Sequence, residues 1–217
     1  MDTVRFHFDP ICPWCYQTSR WAKRLEQLGE IELDWGLFSL EVVNLKEGFD
    51  PHQLQARSGP ALRTAILIRE RKGGAAIGSY YTALGKRIWE QSLPEQDMAT
   101  AVRGALEEVG LDVEWCEEAL AEPATWEAVL EEHHGLIERT RSFGVPTIVL
   151  DGGRGPAIFG PVISELPTDD DAVELWRHVS WLARYENFSE LKRERSKAPD
   201  LPAMPWYQAQ REASNAG

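Results

Sequence analysis

Two cysteines set two residues apart, where a strand pattern gives way to a helix pattern, constrain this chain more than any other feature. The stretch is Asp9-Pro10-Ile11-Cys12-Pro13-Trp14-Cys15. Before it, Val4, Phe6 and Phe8 alternate with Arg5 and His7 at the period-two spacing of a half-buried strand. After it, Trp14, Trp21, Ala22, Leu25 and Leu28 fall near one helical face, and Gly29 stands where a C-terminal cap belongs. The first thiol of such a pair lies at a helix start, where unpaired N–H groups and the helix dipole favour negative charge. Cys12 is therefore expected to be the exposed, acidic member, its pKa drawn from about 8.5 towards neutrality or below. Cys15, one turn deeper, is placed to attack the mixed disulfide and release product. Pro13 removes a donor and stiffens the first turn.

Half of a zinc site is the rival reading of the pair. It needs two further thiolate or imidazole ligands. Cys116 has no CxxC partner, and His133 and His134, being adjacent, point in different directions. Redox chemistry with no metal is the better account.

The strand and helix are followed by Ile31, Leu33, Trp35 and Leu37 alternating with Glu32, Asp34 and Gly36, a second strand. Strand, helix, strand is a βαβ unit, so these strands should run parallel in one sheet. Phe38 to Gly48 reads as a loop leaving the sheet. From about Pro51 to Phe143 the sequence is rich in Ala, Leu, Glu and Arg. Helical periodicity runs over Pro60–Lys72, Ser79–Glu90, Met98–Val109, Val113–Leu120 and Thr125–Thr140. Strand character returns at Val145–Leu150, ends in the turn signal Asp151-Gly152-Gly153, and recurs at Ala157–Gly160. A helix spans Asp169 to Asn187, and Pro199, Pro202 and Pro205 mark an extended tail, disordered past Arg211. The expected division is 1–45 and 142–190 for the sheet domain, 46–141 for a helical insertion and 191–217 for the tail.

A net charge of −12 argues against a nucleic-acid partner, which requires a basic patch. The first strand begins by Thr3, leaving no room for a basic and apolar leader, and no apolar run approaches the roughly 20 residues of a membrane span. Three cysteines, two of them in one CxxC, suit a reducing compartment. The expectation is a cytoplasmic protein with no membrane partner.

The order strand, Cys12-Pro13-Trp14-Cys15, helix, strand, helical insertion, Gly144-Val145-Pro146-Thr147, hairpin, helix resembles the DsbA-like branch of the thioredoxin superfamily. Within that branch the chain is most similar to the actinobacterial mycothiol-dependent nitroreductase group. The resemblance implies an α/β, thioredoxin-like fold with a large all-helical insertion. It implies a cytosolic oxidoreductase that takes electrons from a low-molecular-weight thiol, mycothiol, and reduces disulfides or nitro-aromatic compounds. It also implies a cis-proline at Pro146, turning the Val145 backbone towards Cys12 to meet an incoming thiol. A weaker likeness extends to FrnE-type protein thiol–disulfide oxidoreductases, kappa-class glutathione transferases and 2-hydroxychromene-2-carboxylate isomerases. The last two typically carry serine at the first active position, so Cys12 with Cys15 counts against them.

Other residues admit two readings each. Trp14 is an aromatic wall for a flat substrate or a cover for the helix start. Asn44, in the loop near the CxxC, bonds substrate or serves the turn. Arg63, Arg69, Arg71 and Lys72 read first as a solvated helix face and second as a recognition patch for an anionic thiol carrier. His7 reads as an ordinary strand histidine before a catalytic base, Glu131-Glu132 as plain surface, and Cys116 as a buried thiol before a third redox centre.

Overall fold

The computed structural model describes residues 1–91 and 97–215. Strand β1 (Asp2–Phe8) leads into α1 (Pro13–Gln27), and β2 (Ile31–Leu37) returns alongside β1 in parallel, Val4 opposite Leu33 and Phe6 opposite Trp35. Strands β3 (Thr147–Val149) and β4 (Ala157–Phe159) complete a four-stranded sheet of order β2-β1-β3-β4, with β3 antiparallel to both neighbours. The strand carrying the CxxC at its end is thus central, hydrogen-bonded on both sides. Its register fixes the start of α1.

Helix α1 forms because its apolar positions recur on one face and its ends are capped. Cys12 is its N-cap, Pro13 occupies the first turn, and Gly29, at φ 77°, takes the left-handed conformation that ends the chain's helical course. The inner face carries Cys15, Trp21, Ala22 and Leu25, and Trp21 is fully buried. Burying one such aromatic side chain contributes on the order of 2–3 kcal/mol. Truncating Leu25 to Ala would cost about 2–5 kcal/mol.

Between β2 and β3 the chain is helical. A single turn, α2 (Leu40–Val43), stands in the stretch read from sequence as a loop, because Ser39 caps it by accepting from the Val42 N–H at 3.2 Å. Then come α3 (Gly59–Lys72), α4 (Gly74–Gly85) with a wider π-turn over Lys86–Glu90, α5 (Met98–Glu108), α6 (Trp115–Ala121) and α7 (Pro123–Thr140). Apolar residues of these helices and of the sheet form one continuous core. Tyr81 of α4 stacks on Phe8 of β1 at 3.9 Å between ring centroids and meets Trp35 of β2 edge-on. Beyond β3, the turn α8 (Leu150–Gly153) holds Asp151 and Gly152 at φ 53° and 62°, which reverses the chain into β4. Helix α9 (Asp169–Arg184) packs on α1 through Trp176, Val179 and Ala172, with three aspartates in its first turn answering the dipole.

The tail departs from expectation. It is not extended throughout: α10 runs from Met204 to Asn215, past the point read as disordered, and residues 216–217 lie outside those described. Leu201, Ala203 and Met204 are buried, and the Ala203 N–H donates to Trp89 O at 3.0 Å. Apolar side chains spaced around the prolines made a docked segment; Pro199 and Pro202 precede the helix, and Pro205 sits in its first turn. Among the described residues no helix is long and apolar enough to cross a membrane.

Candidate active site

The strand end at Phe8 delivers Asp9 and Pro10 into a tight turn, and the turn delivers Cys12 to the head of α1. Asp9 holds that turn. Fully buried, it accepts from the Ile11 N–H through Oδ1 at 3.1 Å, and from the Leu40 N–H at 2.7 Å and the Ser58 hydroxyl at 3.4 Å through Oδ2. One carboxyl group therefore joins the CxxC turn to the starts of α2 and α3. Burial outweighs these three donors and pushes its pKa up to about 7. Trp89 adds a second tie, donating its indole N–H to Pro10 O at 3.1 Å.

Cys12 accepts the Cys15 N–H at 3.4 Å, and its own S–H points to Val145 O at 3.8 Å. Cys15 lies beneath it with no exposed surface, its S–H directed to His7 O at 3.7 Å. Both thiols are free, so the reduced protein is the form described. Cys12 is the more accessible of the two, yet only 8% exposed. Here the acidic, exposed thiol expected from sequence is corrected. Burial raises the Cys12 pKa to about 11, and the Asp9 charge adds to the rise; the Cys15 and Trp14 N–H groups and the Arg195 charge pull the other way and lose. Cys15 is pushed up too, first by burial and then by its neighbour Cys12.

The tail shares a cavity with Cys12. A cavity of about 640 Å³ opens above the sulfur, floored by Cys12, Pro13 and Trp14. Leu40, Glu41, Asn44 and Arg57 form one wall, while residues 195–199 together with Met204, Tyr207, Gln208 and Arg211 form the other. The Arg195 guanidinium lies over the Trp14 ring, 5.3 Å from its centroid. Hydrogen bonds pin the tail to the body: Asp200 N–H to Ser164 O at 2.7 Å, and the Ser164 hydroxyl to Lys197 O at 3.1 Å. Gln17 of α1 in turn donates to Ser164 O at 3.0 Å.

Cys12, Pro13, Trp14 and Asn44 thus meet in one cavity, and the Asn44 amide donates to Leu40 O at 2.6 Å, closing the turn of α2. Val145 and Pro146 do not line that cavity. The Val145–Pro146 peptide is cis and both residues are buried; the Val145 carbonyl that was to meet an incoming thiol is taken up by Cys12 itself.

Several basic and acidic residues behave differently from the solvated face expected of them. Arg63 donates to Thr125 Oγ1 and to the Leu120 and Glu122 carbonyls, and Arg71 pairs with Glu118 while lying over Trp115. Arg69 pairs with Glu132 at 2.7 Å, and Glu132 also meets Arg5 at 3.1 Å, so that glutamate is a half-sheltered hub and not plain surface. These residues tie helices together, away from the cavity. His7 is buried with both ring nitrogens unpartnered, and burial next to Arg5 drops its pKa to about 3; Gly36 opposite leaves the room its ring needs. His133 accepts the Ser39 N–H at 3.2 Å, and Cys116 is fully buried. Among the described residues no group of three or more His, Cys, Asp or Glu stands close enough to hold a metal ion.

Sequence reasoning missed Asp9, Tyr81 and Arg195. The Tyr81 hydroxyl, fully buried, has no oxygen or nitrogen partner, and the Cys15 sulfur is its polar neighbour. Only Asp9 carried a signal, its place three residues before Cys12 in an otherwise apolar turn.

The pattern of the family described as Rv2466c-like, mycothiol-dependent nitroreductase Rv2466c, matches residues 11–193. The uncharacterized protein Rv2286c of Mycobacterium tuberculosis (strain ATCC 25618 / H37Rv) is 34% identical over 200 residues, 91% of this chain and 84% of that protein. Among solved structures, a 2-hydroxychromene-2-carboxylate isomerase superposes with a TM-score of 0.58 at 20% identity, covering 84% of this chain and 96% of its own. The cytosolic disulfide reductase DsbM from Pseudomonas aeruginosa gives 0.57 at 18%, covering 83% and 99%. The probable DsbA oxidoreductase SCO1869 from Streptomyces coelicolor gives 0.56 at 18%, covering 93% and 98%. At such identities the likeness speaks for the fold: α/β, thioredoxin-like, in its DsbA-like form with added helices.

Proposed function

This chain belongs to the Rv2466c-like family of mycothiol-dependent nitroreductases and is a thiol-dependent oxidoreductase; from that premise we propose that it carries electron pairs from mycothiol, through Cys12 and Cys15, to small disulfides or nitro-aromatic molecules in the cytoplasm. The observation that carries this reading is the cavity of about 640 Å³ with Cys12 in its floor. Its size falls within the range of small-molecule sites, roughly 300–1,000 Å³. A docked tail walls one side, which suits a small molecule better than a protein client needing an open groove.

The residues divide the work as follows. Cys12 loses its proton to solvent through the cavity, and the thiolate attacks one sulfur of a disulfide acceptor, expelling the other as a thiol. Cys15 gives up its proton and attacks the Cys12 sulfur; the mixed disulfide breaks and the second thiol leaves. Two molecules of small thiol then reduce the Cys12–Cys15 disulfide in the reverse sense. The sum is one acceptor disulfide plus two thiols giving two acceptor thiols and one donor disulfide. For a nitro acceptor the two-electron sum is nitro compound plus two thiols giving nitroso compound, donor disulfide and water. Trp14 offers a ring face to a flat acceptor, and Asn44 a side-chain carbonyl at the cavity wall. Residues 46–141, on this reading, form a helical subdomain whose residue Arg57 joins the preceding turn α2 in one wall of the site.

Steady-state turnover of purified protein with mycothiol and either 2-hydroxyethyl disulfide or a nitro-aromatic acceptor tests the assignment. Cys12→Ser should abolish turnover, since a serine hydroxyl stays protonated near neutral pH. Cys15→Ser should keep a reduced rate that rises with thiol concentration, because free thiol replaces the resolving group without its high effective concentration. Equal and complete loss in both variants at every thiol concentration would refute the mechanism. Stable mixed disulfides with proteins in Cys15→Ser would favour a protein thiol–disulfide oxidoreductase instead.

A further inference from the structure

The protein carries a net charge of −12, yet the walls around Cys12 are cationic. Of the charged side chains lining the cavity, four are basic (Arg57, Arg195, Lys197 and Arg211) and one, Glu41, is acidic. Their pairing decides what is left for a ligand. Arg57 spends its charge on Glu41 at 3.2 Å, and Lys197 on Glu165 at 3.0 Å. Among the described residues neither Arg195 nor Arg211 has an acidic partner.

Arg195 is also held in place. Its guanidinium rests over Trp14, the residue between the two cysteines, at a distance suited to cation–π attraction. The segment that carries it is fixed by the Ser164 bonds to Lys197 O and Asp200 N. Arg211 lies on α10, whose first turn is seated by Met204 in the core and by Tyr207 against Trp89, 5.3 Å between ring centroids. The two cations thus come from two anchored segments of the tail and line one cavity with Cys12. An arginine presents several N–H donors in a plane, the geometry that carboxylate, sulfonate and phosphate groups accept.

We infer that the tail makes this a site for anionic acceptors: small oxidised molecules carrying a carboxylate, sulfonate or phosphate group, which Arg195 and Arg211 bind so that the reducible bond lies against Cys12. The inference rests on the small-molecule reductase reading above. It concerns the acceptor and not the donor thiol because mycothiol, the proposed donor, carries no carboxylate, sulfonate or phosphate group for the arginines to bind.

Three disulfides with two-carbon arms separate charge from shape: 3,3′-dithiodipropionate (anionic), 2-hydroxyethyl disulfide (neutral) and cystamine (cationic). The readout is the ratio of kcat/KM for the anionic over the neutral disulfide, with mycothiol as donor. Each disulfide is compared with itself between proteins, so intrinsic reactivity cancels. Arg195→Ala combined with Arg211→Ala should lower that ratio about tenfold, the sum of two partly solvated ion pairs, and should raise the cystamine ratio. Arg195→Lys with Arg211→Lys should restore much of it. A ratio that the alanine pair leaves unmoved overturns the proposal, as does an equal fall for all three disulfides, which would mean the arginines act through Cys12 alone. A charge preference seen only when the donor is varied, among 3-mercaptopropionate, 2-mercaptoethanol and cysteamine, overturns the assignment to the acceptor.

Binding separates this inference from the reading beneath it. Calorimetry on the Cys12→Ser, Cys15→Ser protein should show 3,3′-dithiodipropionate bound more tightly than cystamine, with the preference lost in the alanine pair. Should the active protein reduce no acceptor while this preference holds, the reductase reading fails and the anion site stands. Equal binding of the two overturns the anion site whatever the turnover.

Discussion

The test that bears most directly on the chemistry is the pH dependence of Cys12 alkylation, because a thiol raised to about 11 behaves unlike a conventional redox nucleophile. The perturbation is pH alone, from 7 to 9.5, with iodoacetamide and mass-spectrometric readout of the peptide bearing Cys12. With a pKa of about 11 the thiolate fraction is on the order of 10⁻⁴ at pH 7 and grows about 300-fold by pH 9.5. A free cysteine, with pKa about 8.5, rises only about 30-fold over that interval, and a thiol activated to about 6.5 hardly changes. At pH 7 the low fraction is partly offset by the greater nucleophilicity of a more basic thiolate. The net rate should fall on the order of 20-fold below free cysteine before any steric cost. Cys12 should still label before the others, since Cys15 and Cys116 have no exposed surface. Arg195→Ala removes one of the influences that favour the thiolate and should slow labelling at pH 7. A rise of less than about tenfold between pH 7 and 9.5 would refute the argument that burial of Cys12 outweighs the helix start.

Two further substitutions test the supports of the site. Asp9 has a folded pKa near 7 against an unfolded value of 3.8, so its contribution is fully present below about pH 4 and is lost as pH rises through 7. Asp9→Asn cannot titrate. The stability of the native protein relative to this variant, from urea melts at pH 4.5 and 7.5, should therefore decline with rising pH, by at most about 4 kcal/mol; a gap that widens instead would count against a protonated Asp9. Tyr81→Phe takes away the hydroxyl beside Cys15, which favours its thiolate, so rapid-quench measurements should find the Cys12 mixed disulfide surviving about fivefold longer. An unchanged lifetime would remove Tyr81 from the redox step.

The parts of this fold that sequence reveals are those encoded by local periodicity. Val4, Phe6 and Phe8 against Leu33, Trp35 and Leu37 define two strands that can bury one face only if the intervening helix crosses over it, and the structure pairs them in that register. Cys12 and Cys15 are legible for the same reason: four consecutive residues at one strand–helix junction fix their own geometry. Asn44 reaches the same cavity by a longer route, through the α2 turn that Ser39 caps and Asp9 anchors. No periodicity marks that turn, which spans only four residues. The ion pairs of Arg69 and Arg71 were equally hidden, since each joins helices separated by tens of residues and depends on packing that no local pattern encodes.

Cys12 shows most sharply why a helix start alone does not determine a thiol's acidity. Residues 8 to 15 contain everything needed to predict a depressed pKa: a strand end, an N-cap cysteine, a proline and free N–H groups. The opposing influence is burial of the sulfur, which depends on parts of the chain far from the motif, such as Val145, whose carbonyl receives the Cys12 S–H. Dipole and hydrogen-bond stabilisation of a thiolate act at short range and are present wherever the motif folds, whereas the desolvation that opposes them depends on whatever else comes to cover the site. Residues 195–211 act on the same site in the other direction: they bring Arg195 and Arg211 to the cavity, and the Arg195 charge favours the Cys12 thiolate. An anionic acceptor would meet both cations beside a thiol that burial keeps uncharged, so Arg195 serves recognition and reactivity together.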